Sequence, residues 1–236
     1  MLLCDFHIHT HFSDGKLSLS EVVDFYGSSG FDAIAITDHL CDQSSFLGKT
    51  AHFLSKSLQV EQFNNYISQL ELEAERARAV YDMVVIPGVE FTKNSFRHDQ
   101  SAHVLGLGVR DFISCEDSIE NICSEVESQG GIRIAAHPVS TQKVEPQTYH
   151  LWNHRDHYQD YFDAWEVASG PVLFDQVLES QLPKIANSDL HSPRQMTSWK
   201  TLVNSEKSEP AILDAIKKQK LEFYFYNKGG HQCNYN

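Results

Sequence analysis

Short apolar runs alternate with amphipathic segments along this chain, and the alternation predicts an α/β fold. The runs are rich in β-branched residues and are bounded by glycine, proline or polar clusters, as strands are. They cover residues 2–6, 31–39, 83–91, 102–109, 133–138, 161–168 and 182–191, and a final run at 221–227 closes the chain. Most of the segments between them read as helices.

The helices are predicted from capping signals and from the spacing of apolar residues. Ser18 and Glu21 have the S-x-x-E spacing of a capping box, which predicts a helix to about Tyr26. Apolar residues recur at spacings of 3 and 4 over residues 60–80, and their charged neighbours are expected to face solvent. A third helix is expected from Ser114 to the Gly130-Gly131 pair, and a fourth over 209–220. Residues 41–58 are expected to form a loop over the site, and residues 140–160 a second such loop with a helical turn.

Nothing in the sequence divides the chain. There is no internal repeat, no low-complexity tract and no linker-like stretch among the 236 residues. We therefore expect one domain over residues 1–236, a length that suits a single α/β barrel-sized unit.

The first candidate chemistry follows the first strand. On a strand, residues i and i+2 point to the same side, so His7 and His9 present two imidazoles to one place. Asp14 lies five residues later, in a turn that Gly15 closes, and can approach the same place. Two nitrogens and a carboxylate oxygen are typical of part of a metal site, although a His-x-His pair on an edge strand can also arise by chance.

Further histidines and acids stand at or beside the ends of the later strands. With the first three residues they form a set of six histidines and three acids: His7, His9, Asp14, His39, Glu90, His103, His137, Asp189 and His191. Strand ends are where α/β barrels carry their active-site groups. As packing residues, nine such side chains would each need a buried partner. Nitrogen and oxygen donors without thiolate favour zinc, manganese or iron(II).

Six short motifs make the chain resemble the PHP (polymerase and histidinol phosphatase) family of metal-dependent phosphoesterases. They are HIHTHFSDG at 7–15, ITDH at 36–39, PGVEF at 87–91, HVLGLG at 103–108, AHP at 136–138 and SDLH at 188–191. The resemblance implies a distorted seven-stranded (β/α) barrel with two to three divalent metal ions. Histidinol phosphatases of the family usually have histidine where Asp14 stands, so the chain looks more like the small stand-alone phosphoesterases.

The resemblance also implies how the nine residues divide. His7, His9, Glu90 and Asp189 would hold a first metal ion. Glu90 would bridge to a second ion that His103 and His137 hold. The third ion would be held by Asp14, His39 and His191.

Composition limits the partners. The net charge of −13, from 32 acidic and 19 basic residues, repels an extended polyanion, so long nucleic acid is disfavoured. No apolar run approaches the ~20 residues of a membrane span. The five cysteines have no C-x-x-C spacing, which favours reduced thiols and a cytoplasmic location. The oligomeric state is left open.

Three residues are candidates for catalytic roles: Glu90 as the bridging carboxylate, Asp38 and Arg194. Asp38 could orient a ligand histidine or simply end its strand. Arg194 could clamp phosphate through its guanidinium or be a plain surface residue. Weaker candidates for the same contact are Arg97 and Arg155, and His150, His154 and His157 could line a helix face beside Trp152.

These features predict hydrolysis of a phosphate ester by metal-activated hydroxide. The substrate is expected to be a small phosphorylated metabolite, a nucleotide or a short oligonucleotide. The alternatives are a histidinol-phosphatase-like phosphomonoesterase, a catalytically silent metal-binding scaffold and an amidohydrolase-type C–N hydrolase.

Overall fold

The structure is a computed structural model that describes residues 1–43, 57–95, 100–139 and 148–227, together with the backbone of Asn234–Tyr235. Its helices are α1 (Leu19–Gly27), α2 (Phe63–Tyr81), α3 (Ile119–Ser128), α4 (His150–Asn153), α5 (Arg155–Tyr158), α6 (Asp175–Leu178) and α7 (Glu209–Lys217). Its strands are β1 (Leu2–Asp5), β2 (Ala33–Ile36), β3 (His39–Cys41), β4 (Val84–Lys93), β5 (Ala102–Leu107), β6 (Ile132–Ala135), β7 (Ala164–Ser169), β8 (Val172–Leu173), β9 (Lys184–Asn187), β10 (Ser198–Val203), β11 (Leu221–Tyr226) and β12 (Asn234–Tyr235).

One curled, mixed sheet contains these strands. The order is β12-β11-β10-β1-β2-β4-β5-β6-β7-β8, with β3 paired to β4 and β9 paired to β7. Pairs β1–β2, β2–β4, β6–β7 and β7–β9 are parallel, whereas β4–β5 and β5–β6 are antiparallel. The predicted α/β class is confirmed.

A seven-stranded barrel is not confirmed. Strands β10 to β12 extend the sheet beyond β1. The segments that follow β1 and β9 are paired by an isolated parallel bridge between Ile8 and Leu190. Two strand ends therefore come together at one place without a continuous ladder between β9 and β1.

Strand β2 shows how the sheet is covered on both faces. All four of its residues are buried, and alternate side chains enter different apolar clusters. Ile34 and Ile36 pack in the larger cluster with the residues of α1 and α2, whereas Ala33 and Ala35 pack in the smaller cluster with α7. Both faces of β2 are therefore buried, and the polar residues Thr37 and Asp38 come directly after its end.

The structure corrects several predicted elements. The run at 31–39 divides into β2 and β3. The third helix begins at Ile119, because the side chain of Ser118 caps it by accepting from the Asn121 amide at 3.2 Å, whereas the Ser114 hydroxyl accepts from Glu116 in a preceding turn. Strand β10, which pairs with β1, was not predicted. Most of the expected loop at 41–58 and part of that at 140–160 lie outside the described residues, and residues 150–161 contain α4, α5 and a 3₁₀ turn.

The predicted start of α1 is confirmed. The capping box is present, since the Ser18 amide donates to Glu21 Oε2 at 2.8 Å and Ser18 accepts from the Glu21 amide. The four described cysteines are buried free thiols: Cys4, Cys41, Cys115 and Cys123. Among the described helices, none has both the length and the apolar character that crossing a bilayer requires.

Candidate metal centre

The bridge between Ile8 and Leu190 organises the centre. The His9 amide donates to the Leu190 carbonyl at 2.9 Å, and the Leu190 amide donates to the His7 carbonyl at 3.1 Å. Ile8 and Leu190 are themselves buried in the apolar core. The residues on either side of them point the other way, as period-2 geometry requires. The two segments consequently present His7 and His9 together with Asp189.

Two features fix the loop that carries Asp14: the close approach of Gly15 to the His9 backbone and the hydrogen bonds that the loop donates to Asp38. A Cβ at Gly15 would collide with the His9 carbonyl, so only glycine allows this close approach. The carboxylate of Asp38 accepts from the Thr10 amide at 2.7 Å, the Thr10 hydroxyl at 2.7 Å and the Ser13 hydroxyl at 2.6 Å. Asp38 thus holds the loop that carries Asp14.

Five candidate ligands form what we call the inner cluster: His7, Glu90, His103, His137 and Asp189. Glu90 lies at its centre. Its Oε1 is 2.8 Å from His103 Nδ1 and 3.3 Å from His137 Nε2, and its Oε2 is 3.4 Å from His7 Nε2. His7 Nε2 is also 3.3 Å from Asp189 Oδ1. The two carboxylate oxygens of Glu90 therefore face different sets of donors.

Three more candidates form the outer cluster: Asp14, His39 and His191. Asp14 Oδ1 lies 3.1 Å from His191 Nε2 and 3.6 Å from His39 Nε2. The side chains of Asp14, His191 and His39 are 30%, 23% and 14% exposed, respectively. The side chains of the inner cluster are at most 7% exposed. His9 and His39 both join the two clusters. The Nε2 of His9 lies 3.4 Å from Glu90 Oε2 and its ring stacks on His191, and the Nδ1 of His39 lies 2.7 Å from the same Glu90 oxygen.

All nine predicted ligands are therefore brought together. Their donor atoms fall into four overlapping groups in which the atoms lie within 4.8 Å of one another. These groups are His9 with Asp14, His39 and His191; His7 with His137 and Asp189; His7 with His9 and Glu90; and Glu90 with His103 and His137.

Unsatisfied polar atoms indicate that the centre is built for cations. In the described part of the chain, five of the six buried side-chain nitrogens and oxygens without a hydrogen-bond partner belong to candidate ligands: His7 Nε2, both ring nitrogens of His9, Glu90 Oε2 and Asp189 Oδ1. Leaving such an atom unpaired costs about 1–3 kcal/mol. Several of these atoms face one another at 3.2–3.4 Å, as donors around an ion would. The residues fit a divalent metal centre.

The charges of the cluster support the same fit. Burial opposes ionisation of Glu90 and Asp189, but the histidines around them hold the pKa of both carboxyls well below the usual range. Burial also opposes protonation of His137, yet its hydrogen bond to Glu90 and the charges of Asp189 and Glu90 raise its pKa to about 9. For His9, burial and the neighbouring His191 and His39 lower the pKa to about 3. The carboxylates thus attract positive charge, which a divalent cation would supply in exchange for protons.

Two inner-cluster residues have unusual backbone conformations. His137 has φ 26° and Asp189 has φ 52°, a region that non-glycine residues adopt at a cost of about 1–3 kcal/mol. Each residue lies two positions after the end of a strand, His137 after β6 and Asp189 after β9. The fold accepts this cost at two positions that turn polar side chains into the centre.

Sequence reasoning missed residues that orient the candidate ligands. Fully buried Glu166 on β7 approaches His7 Nδ1 at 3.0 Å through Oε1 and accepts from the His137 amide at 2.7 Å through Oε2. The Thr148 hydroxyl lies 3.0 Å from His137 Nδ1. A carboxylate on the far ring nitrogen of a metal-binding histidine fixes the ring and its tautomer. The only sequence signal was an acidic residue within the apolar run at 161–168.

Gln195 and Asn94 were also missed. Gln195 Nε2 donates to the Asp189 carbonyl at 2.9 Å, and its Oε1 accepts from the His191 amide at 2.9 Å. Asn94 Oδ1 lies 2.9 Å from His103 Nε2. These two amides therefore hold residues of both clusters in place.

The arginines that were predicted to contact phosphate are either exposed or outside the described residues. Arg194 is exposed, three residues after His191. Arg155 donates to the Trp152 carbonyl at 3.1 Å and lies over the Trp152 ring, and Arg97 lies outside the described residues. The rings of His150 and His154 lie 4.6 Å apart and are tilted by 37°, and exposed His157 pairs with Glu120 at 2.9 Å.

Solved structures of other proteins share this fold. The chain matches a two-domain protein from Bacteroides vulgatus ATCC 8482, described as containing a predicted PHP-like metal-dependent phosphoesterase, with TM-score 0.67 and 23% identity. That match covers 95% of this chain and 65% of the other. An amidohydrolase from Chromobacterium violaceum, solved with bound sulfate and no metal, matches with TM-score 0.55 and 17% identity over 96% and 99% of the two chains.

Comparison with the curated proteins gave no match. The PHP domain family matches residues 5–192, which include all nine candidate ligands. Since this match covers most of the sequence and the described geometry gathers the same residues, the chain belongs to the PHP domain family.

Proposed function

We propose that this chain is a metal-dependent phosphoesterase that hydrolyses a small phosphate ester. The single observation that carries the proposal is the group of buried, unpaired donor atoms on His7, His9, Glu90 and Asp189. A fold that kept these atoms only for its own stability would have paired them with one another or with the backbone. Two to three ions of zinc, manganese or iron suit the nitrogen and oxygen donors.

The proposed ligand sets follow the geometry around Glu90. Its Oε1 faces His103 and His137, and its Oε2 faces His7 and His9, so one carboxylate can serve two ions. The outer cluster supplies donors for a third. Bound divalent ions would lower the pKa of a water molecule and neutralise phosphoryl oxygens.

The chain's own residues would set up this chemistry in three ways. Glu166 holds the His7 ring so that Nε2 faces the centre. Asp38 holds the loop that places Asp14 beside His191. Low exposure of the inner cluster excludes bulk solvent, which strengthens the electrostatic interactions there.

We propose a small anionic substrate that enters from the side of the outer cluster. The outer cluster is the more exposed of the two, and Arg194 lies close to it in sequence. The net charge of −13 opposes binding of a long polyanion, which needs several basic contacts. One arginine with the ions suits one or two phosphates, as in a mononucleotide or a phosphorylated metabolite.

A substrate panel tests the proposal. Purified protein would be assayed with Mn²⁺ or Zn²⁺ against p-nitrophenyl phosphate, its bis-ester, histidinol phosphate, phosphorylated metabolites, nucleotides and oligonucleotides of increasing length. We expect turnover of short esters, with no gain in rate beyond a few nucleotides. Rates that climb with length would contradict the small-substrate proposal.

The same panel separates the alternatives. Selective turnover of histidinol phosphate would favour the histidinol-phosphatase-like enzyme. No turnover with metal demonstrably bound would favour a silent metal-binding scaffold. Turnover of amides with inert phosphates would favour a C–N hydrolase.

A further inference from the structure

A lysine is completely buried behind the metal centre. Lys200 lies on β10 with no exposed surface, and its Nζ is 2.8 Å from Asp5 Oδ2 and 2.7 Å from the Ser198 hydroxyl. Asp5, on the neighbouring strand β1, is also fully buried. Burying two charges costs several kcal/mol per ion, and apolar residues of the same volume are often equally stable or more so. The pair therefore needs an explanation other than stability alone.

Asp5 connects the pair to the segment that follows β9. Its Oδ1 accepts from the Ser188 amide at 3.0 Å, and its Oδ2 accepts from the Ser188 hydroxyl at 2.5 Å. The Tyr26 hydroxyl donates to the same Oδ2 at 2.7 Å. Ser188 directly precedes Asp189, which has φ 52°. Asp5 thus holds Ser188 in place, and Ser188 is the residue to which the candidate ligand Asp189 is joined.

Lys200 connects to the other end of the same segment. The Ser198 hydroxyl, which accepts from Lys200, donates to the Gln195 carbonyl at 2.7 Å. The Gln195 side chain in turn bonds the Asp189 carbonyl and the His191 amide. A continuous set of hydrogen bonds therefore runs from the buried ion pair to both ends of residues 188–195.

We propose that Asp5 and Lys200 are positioning residues for the candidate ligands Asp189 and His191. The ion pair holds segment 188–195 in the one arrangement that directs both side chains into the centre. Charged hydrogen bonds suit this task, because they are stronger and more directional than apolar packing. The inference rests on the proposed metal centre but does not require that the centre be catalytic.

The test is Lys200→Met, which keeps side-chain length and removes the charge. Arg133→Met is the matched control, because Arg133 is 8% exposed and also pairs with an acid, Asp163, at 2.9 Å. The ion pairs of Arg133 are with Asp163 and Glu127, neither of which belongs to segment 188–195. Metal-free proteins would be titrated with Co²⁺, and affinity, visible absorption and thermal unfolding would be recorded. We expect Lys200→Met to weaken Co²⁺ binding at least tenfold and to change the absorption spectrum, and Arg133→Met to change only the unfolding temperature.

A second variant keeps the inference falsifiable if Lys200→Met does not fold. Asp5→Asn/Lys200→Met removes both charges and leaves no unpaired ion, while the amide oxygen can still accept from Ser188. We expect it to fold and to show a smaller loss of Co²⁺ affinity than Lys200→Met, with a shifted spectrum. Wild-type Co²⁺ affinity and absorption spectrum in both variants would overturn the inference. So would a loss of Co²⁺ affinity in Arg133→Met equal to that in Lys200→Met, if the two variants lose the same stability. Absence of phosphate-ester turnover in the wild type would overturn the proposed function and leave this result standing.

Discussion

The inner and outer clusters use the same kinds of donor but are held by different parts of the fold. Glu90 and His103 lie within β4 and β5, and fully buried Glu166 on β7 orients His7. In the outer cluster, Asp14 lies on a loop held by Asp38 and His191 follows the last of the candidate strand ends, while His39 opens β3 beside Glu90 on β4. Strand residues vary little in position, whereas loop residues are more exposed and more mobile.

The comparison indicates that the clusters should differ in how tightly they hold metal. Inner-cluster donors are nearly solvent-free, and their far ring atoms already have partners in Glu166, Thr148 and Asn94. Outer-cluster donors are partly open to water. We therefore expect changes in the inner cluster to cause the largest loss of activity. Changes in the outer cluster should affect the binding of one exchangeable ion and of the substrate.

The largest effect is expected from Glu90→Gln, which removes the charge that faces both sets of inner donors. Loss of this bridging carboxylate should lower kcat/KM about 10³-fold, on the order of 4 kcal/mol. Steady-state assays with the best substrate of the panel would measure it. Glu61→Gln, an exposed acid on the turn before α2, is the control. A Glu90→Gln enzyme with more than a tenth of wild-type activity would contradict the central role of this residue.

The next effect concerns the exchangeable ion. His39→Ala removes an outer-cluster donor and should lower the metal content by about one ion per chain, while the ion near His103 and His137 remains. Activity should fall about 10²-fold, because one of the groups that neutralise the phosphoryl oxygens is lost. Elemental analysis of the purified variant and the wild type gives the count. Unchanged metal content would remove His39 from the ligand set.

Chelation sharpens the same distinction without mutation. A dilute chelator should remove the outer ion first, since its donors are the more exposed. The wild type should then pass through a partly loaded state with the metal content of His39→Ala. Simultaneous loss of all ions would show that the two clusters are equally accessible.

Glu166→Gln should have a smaller effect, because it acts on the centre only through His7 and His137. Loss of such a carboxylate–histidine contact typically costs 10–100-fold in metal affinity or activity. Co²⁺ titration and steady-state kinetics would measure both. Glu222→Gln on β11, which changes the same kind of side chain in another strand, is the control. Wild-type metal affinity in Glu166→Gln would mean that Glu166 serves the fold alone.

The smallest effect is expected from Arg194→Ala. A charge-assisted hydrogen bond is worth about 1.5–3 kcal/mol, and the exposure of Arg194 favours the lower end, about tenfold in kcat/KM. The loss should be greater for substrates with two phosphates than for those with one. Arg78→Ala, an exposed arginine paired with Asp82 beyond the end of α2, is the control. Equal kinetics for the two variants would make Arg194 a plain surface residue.

Much of this arrangement was predictable from local patterns. Period-2 geometry placed His7 and His9 on one side, and the strand-end positions of the other candidates predicted that they would meet. The α1 cap, the α2 periodicity and the closing strand were also readable, because each depends on residues a few positions apart. The start of α3 was misplaced because Ser114 and Ser118 are both able to cap, and only the backbone geometry distinguishes them.

Other features depend on residues that are distant in sequence. The antiparallel pairing of β5 with β4 and β6 departs from a repeated β/α pattern, and nothing local distinguishes it. Glu166 became interpretable only when β7 placed it beside His7, 159 positions earlier in the chain. Strand β10 was missed because Lys200 interrupts its apolar character, and a lysine normally indicates an exposed position.

The sequence by itself determined the donors, their order and the family, since these are properties of residue type and spacing. Only the tertiary structure decided which donors lie within reach of one another, which are exposed and which are held by a second buried side chain. The physical reason is that burial and charge pairing depend on what surrounds a side chain. Lys200 can be buried because Asp5 lies 2.8 Å away on the adjacent strand, and that neighbour is supplied by the fold.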